Sequence, residues 1–96
     1  MKMKWQGELV SGAYIKETNQ FDMQQIKHFQ TNSILSEDQL IHLNEYLEKH
    51  RNDTSHVLTI NEQMLVPLNR MDVHKILEDF TAIRNFINQS KDAHGM

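Results

Sequence analysis

Six histidines are the residues best placed to do chemistry in this chain of 96 residues. Histidine is the usual general base near neutral pH and a common metal ligand. His42 and Glu45 stand one helical turn apart, and His50 and His56 bracket a loop. There is no His-Glu-x-x-His pattern, and no two histidines have i,i+4 spacing on a helix. A zinc site would need three or four of them to converge from separate elements. They read as surface or boundary histidines, with no metal expected. Glu78 and Asp79 are adjacent, so they point to different parts of a helix surface and read as a solvated face. Ser11, Ser33, Ser36, Ser55 and Ser90 fall at a cap or in turns, outside any G-x-S-x-G elbow. Three scattered glycines cannot build a phosphate cradle. The expectation is a protein without catalytic residues, without a cofactor and without enzyme activity.

Composition narrows the class further. A chain of this size buries one modest core, and 39% hydrophobic with 24% charged residues suits a globular domain. There is no cysteine, hence no disulfide and no thiolate site. No run approaches the roughly 18 apolar residues of a membrane span. The start, "MKMKWQGELVSG", has lysines but no apolar stretch after them, so a signal peptide is not expected and a cytoplasmic location is. The net charge is −3. Residues 1–48 carry four lysines against seven acids, and residues 49–96 balance six against six. Neither half would neutralise many phosphates, so nucleic-acid binding should be weak.

The elements that would position these groups follow from pattern. Residues 4–15 hold Trp5, Leu9, Val10, Tyr14 and Ile15 broken by Gly7 and Gly12, which suggests a short strand or extended arm with a turn near Ser11-Gly12. In "FDMQQIKHFQ" Asp22 and Gln25 have capping-box spacing, and Met23, Ile26 and Phe29 share a helical face, which predicts a first helix over 22–31. "LSEDQL" repeats that grammar with Ser36 as cap and Gln39 completing the box, and Leu40, Leu43 and Leu47 make the stripe of a second helix, 36–50. "HVLTI" (56–60), a turn at "NEQ" and "MLVPL" (64–68) read as a hairpin, with Pro67 at an edge. Val73, Ile76, Leu77, Phe80, Ile83 and Ile87 keep helical spacing, widened by Phe86, in a third helix from Asn69 to about Asn88. Of the six methionines, Met23, Met64 and Met71 read as gap-filling in a small core.

Lys4-Trp5, and then Leu35, Ser36, Glu37, Asp38, Leu40, Asn44 and Leu47 ahead of an Asn-containing turn and a strand, resemble the YolD-like family of small bacterial and phage proteins. The resemblance covers roughly residues 4–60. It implies an accessory protein of Gram-positive bacteria or their phages, connected with DNA-damage-response polymerases, and no catalytic residues.

Together these readings predict an α+β domain over 1–90, with three helices, a short antiparallel β-hairpin and an N-terminal strand or arm, followed by a flexible tail at 91–96. The expected function is that of a non-enzymatic regulatory or accessory protein that binds another protein. The candidate interface is Trp5, Phe80, Ile83, Phe86 and Ile87, and the expected assembly is a homodimer through the distal end of the last helix. If the N-terminal arm instead folds back with Trp5 and Tyr14, that end is covered within the chain. The alternative function is a compact DNA-binding regulator, built on helices 22–31 and 36–50 as a helix-turn-helix-like pair; Glu37 and Asp38 at the start of its second helix oppose it.

Overall fold

A computed structural model describes residues 2–60 and 64–92, with side chains through residue 90. Four strands come first: β1 (Lys2–Gln6), β2 (Val10–Ile15), β3 (Gln20–Ile26) and β4 (Phe29–Ser36). Helix α1 (Glu37–Lys49), strands β5 (Ser55–Ile60) and β6 (Met64–Asn69), and helix α2 (Arg70–Asp92) complete the chain. The first four strands form an antiparallel meander in the order β1-β2-β3-β4, and β5 and β6 form a second, two-stranded sheet. The fold is α+β with two helices and six strands among the described residues. The expected three helices with one short hairpin are therefore corrected.

The segment read as a first helix, 22–31, is the β3–β4 hairpin. Two features disguise it. Opposite β2, Gln24 is an extra residue between Met23 and Gln25, the partners of Gly12 and Ser11, so Phe21, Met23 and Ile26 all turn inward despite unequal spacing. Met23, Ile26 and Phe29 then fall three apart and mimic a helical face. The reversal itself carries no glycine: Lys27 takes a positive φ of 58°, an uncommon conformation for a residue with a Cβ. Tertiary bonds hold it there. Lys27 N–H donates to the Leu9 carbonyl at 2.7 Å, and its ammonium reaches the Pro67 carbonyl and the Asp72 carboxylate, each at 3.0 Å.

The N-terminal stretch forms two strands rather than one arm. Their turn is at residues 7–9, closed by Gly7 N–H to the Val10 carbonyl at 2.8 Å. Ser11-Gly12, expected as the turn, is a register shift inside β2. A Cβ at Gly12 would collide with the Asp22 carbonyl of the neighbouring strand, so glycine is what lets the two backbones approach there.

Rows of paired residues across the meander define its inner face. Met3, Tyr14, Phe21 and Leu35 form one row, and Trp5, Gly12, Met23 and Ser33 form the next. Helix α2 packs against β2, β6 and α1, so it is the spine joining the two sheets. It is amphipathic as read, with Val73, Ile76, Phe80, Ile83 and Ile87 all buried. It runs to Asp92, past the expected end near Asn88 and into the expected tail; residues 93–96 lie outside the described residues, as does the turn at 61–63. Helix α1 has the capping box read for it: Gln39 N–H donates to Ser36 Oγ at 3.2 Å and Ser36 N–H to Gln39 Oε1 at 2.8 Å. A similar pair starts α2, with Asp72 N–H on Asn69 Oδ1 at 2.8 Å and Asn69 N–H on Asp72 Oδ2 at 3.0 Å. Among the described residues no helix is long and apolar enough to cross a membrane.

Candidate functional site

The residues proposed as an interface sit mostly inside the molecule. Phe80, Ile83 and Ile87 are buried. Phe86 is half-buried, with its ring edge-on to Tyr14 at 6.4 Å. Trp5 is half-buried and meets Phe21 edge-on at 6.3 Å. Ser90 Oγ lies 3.9 Å from Met3 Sδ. Strands β1 and β2 thus cover the distal part of α2. Met23 is buried, Met64 half-buried and Met71 64% exposed, so the three methionines do not share one surface.

Asp79 is not on a solvated face. Its carboxylate is buried and accepts three backbone N–H groups of the β1–β2 turn: Glu8 at 3.0 Å, Leu9 at 2.8 Å and Val10 at 2.9 Å. A Cβ at Gly7 would collide with this carboxylate and with the Trp5 ring. The arrangement is a structural pin. It satisfies amides that the turn leaves without sheet partners.

Two other places face outward. The first is the outer face of the β5–β6 hairpin. Strand pairing sets Val57 opposite Pro67 and Thr59 opposite Leu65. The alternate residues Leu58, Ile60, Val66 and Leu68 are buried, so the period of two puts Val57, Pro67 and Leu65 together on the open side. Leu65 is 62% and Val57 49% exposed. Behind the hairpin, an open groove of about 740 Å³ runs between α1 and β5, lined by Leu35, Leu43, Tyr46 and Leu58 on its apolar side and by Gln39, His42 and Thr59.

The second place is the loop that follows α1. Helix α1 ends in tight turns, with His50 N–H on the Leu47 carbonyl at 3.1 Å and Asp53 N–H on the His50 carbonyl at 3.1 Å. Arg70 holds the loop to the start of α2 through the Asn52 carbonyl at 3.0 Å. The reversal brings His50 and His56 together across the loop they bracket. Their rings stack with centroids 4.3 Å apart and 16° between planes, and Tyr46 lies at 4.7 and 5.2 Å from them. His50 Nδ1 is 2.9 Å from Asp53 Oδ2, and His56 Nδ1 is 4.0 Å from the same oxygen. His56 Nε2 is buried without a hydrogen-bond partner. The convergence was not visible in sequence because the spacing is that of a loop rather than of a helix face.

Lys27 and Asp72 form the best-buried ion pair among the described residues. Burial pushes the Asp72 carboxyl up, but the Asn69 N–H, the hydrogen bond and charge of Lys27, and the charge of Lys75 together hold it below the ordinary aspartate value. Its place at the α2 cap makes this a structural tie between the β3–β4 turn and α2, beside the Lys27 bond to the Pro67 carbonyl of the second sheet.

The first helix of the helix-turn-helix-like pair is not formed; β5 and β6 separate the two helices present, so the geometry proposed for a DNA reader is absent. Compared with family models, curated proteins and solved structures, the chain matches none.

Proposed function

We propose that this chain is a non-enzymatic accessory module of the cytoplasm that acts by binding protein, with the outer face of β5–β6 as its contact surface. The observation that supports this is the apolar triad Val57, Leu65 and Pro67, which the hairpin register sets side by side on the open face. Exposed apolar groups grouped in this way are characteristic of contact surfaces, whereas scattered ones are not. A two-stranded sheet is marginal in water on its own, and here the described residues cover its inner face and leave Val57 and Leu65 exposed on the other. The partner that requires the fewest assumptions is a second copy, since a twofold axis would lay the same flat face against itself. This keeps the homodimer expected from sequence but moves its surface from α2 to the hairpin. The resemblance of residues 4–60 to YolD-like proteins belongs to the same proposal, as an accessory role in bacteria or phage.

Sedimentation equilibrium at micromolar concentration tests the reading. The expected result is a mass that rises above 11.4 kDa with concentration and returns to the monomer value in Leu65→Asp. Because Leu65 is exposed, the variant should keep its fold, as circular dichroism would show. A clean monomer throughout, or an assembly indifferent to Leu65→Asp, refutes the proposed surface.

A further inference from the structure

The loop between α1 and β5 carries a donor set that, among the described residues, makes no hydrogen bond outside the loop. Among the described residues, His50, Asp53 and His56 are a group of three whose ligand atoms all lie within 4.8 Å of one another. Two imidazoles and one carboxylate suit a borderline divalent ion, and the same mixture of N and O donors occurs in three-ligand zinc centres. We propose that His50, Asp53 and His56 bind a divalent transition-metal ion of the Zn²⁺ class.

The donor atoms, all within 4.8 Å of one another, must draw together to hold such an ion. Bonds of about 2.0–2.1 Å at tetrahedral angles place donor atoms roughly 3.3 Å apart. The observed separations from Asp53 Oδ2, 2.9 Å to His50 and 4.0 Å to His56, fall on either side of that value. The stacked rings must tilt so that their in-plane lone pairs converge. His50 has room to do so, since its side chain is 34% exposed.

His56 supplies a second and separate observation. Its side chain is only 13% exposed. One ring nitrogen stands 4.0 Å from the carboxylate, beyond hydrogen-bond distance, and the other is buried with no partner. Nδ1 is therefore the nitrogen that faces Asp53, and Nε2 is a buried polar atom of a kind rarely left unpaired. Coordination through Nδ1 would give the ring a strong polar partner on the Asp53 side and fix Nε2 as its N–H nitrogen. The carboxylate offsets part of the ion's charge, and three protein donors leave one position of a tetrahedron for water or for a donor from another molecule. The site closes the loop that joins α1 to β5, so an occupied site would hold that connection as well as the ion.

The test uses the full chain, freed of metal with a chelator and titrated with Co²⁺, followed by competition with Zn²⁺. The expected result is one Co²⁺ per chain, with visible d–d absorption of low-symmetry N/O coordination that Zn²⁺ abolishes. His50→Ala, His56→Gln and Asp53→Asn should each weaken binding by about tenfold or more, the scale on which even supporting residues of metal sites act. His42→Ala and His74→Ala, both exposed and outside the triangle, should bind as the parent does. Thermal melting with and without Zn²⁺ reads the same site without spectroscopy: Zn²⁺ should raise the midpoint of the parent and leave that of Asp53→Asn unchanged. Absence of stoichiometric binding by the folded parent, or binding lost equally in His42→Ala or His74→Ala, overturns the assignment. Binding retained in all three triangle variants does so too, even if one of them melts at a lower temperature.

Discussion

Replacing Asp79 by alanine should unpin the N-terminal hairpin. The carboxylate is 5% exposed and accepts bonds of 2.8, 2.9 and 3.0 Å from three successive amides. A hydrogen bond to a charged group contributes about 1.5–3 kcal/mol, so a plain sum over three is roughly 4.5–9 kcal/mol. That sum is an upper bound. The Glu8 and Leu9 amides are only partly buried, and water can reach them once the carboxylate is gone. The Val10 amide is buried and would be left without a partner. The expected loss is therefore about 3–5 kcal/mol, against a total of about 5–14 kcal/mol for a chain of this length. In thermal unfolding followed by circular dichroism this is a fall of roughly 12–40 °C in Tm. Asp79→Asn keeps one acceptor oxygen and should lose less. Gly7→Ala drives a methyl group into the same carboxylate, so its cost should shrink when measured in the Asp79→Ala background. A loss below about 1 kcal/mol in Asp79→Ala would be no more than an ordinary neutral hydrogen bond. Additive costs for the pair would be as damaging, since contacting residues should couple. Either result would refute the view that the carboxylate holds the turn.

The depressed acidity of Asp72 gives a pH signature. Its folded form stays ionised to lower pH than its unfolded form, so its contribution is complete above the unfolded value of about 4 and is lost as pH falls through the folded one. Asp72→Asn should be less stable than the parent by about 1 kcal/mol at neutral pH, the scale of a helix cap. Urea titrations at a series of pH values should show that gap closing below about pH 4, and a constant gap would remove the linkage. In α1, Ser36→Ala should cost about 0.5–2 kcal/mol through the lost cap. Leu47→Ala, fully buried, should cost about 2–5 kcal/mol. The half-buried Leu43 should cost clearly less by the same urea measurement, and equal costs would contradict the orientation of the helix.

The parts of the fold legible in sequence are those whose local signals agree. Ser36 and Gln39 announce a helix start that the structure contains, and the stripe from Val73 to Ile87 is buried as its spacing requires. Strands β5 and β6 follow a plain alternation. The first third was misread because its strands break the period of two in ways that sequence does not advertise. Thr31 and Ser33 are polar residues on the inner face, joined by a 2.6 Å hydroxyl contact. Lys27 turns the chain where glycine or asparagine would be looked for. Asp79 and the histidine pair share a different cause. Their roles depend on partners that only the folded chain brings near: Val10 for Asp79, 69 positions away, and a compact loop end for His50 and His56. The period of two on the hairpin also marks Val57 and Leu65 as outward, a signal present in the sequence itself.

The pin at Asp79 also has a consequence in time. Leu9 leaves the ribosome 70 residues before the carboxylate that will hold it. At roughly 5–20 residues per second, that interval is on the order of 4–14 s, far longer than the roughly 1–10 μs in which a hairpin forms. During it, the meander has strands and turns but not the helix that covers its apolar rows. A nascent chain stalled before α2 would present open strand edges and an uncovered sheet to its neighbours. Chaperone occupancy on translating ribosomes should therefore peak while the middle of this chain is being made and fall once the last helix has emerged.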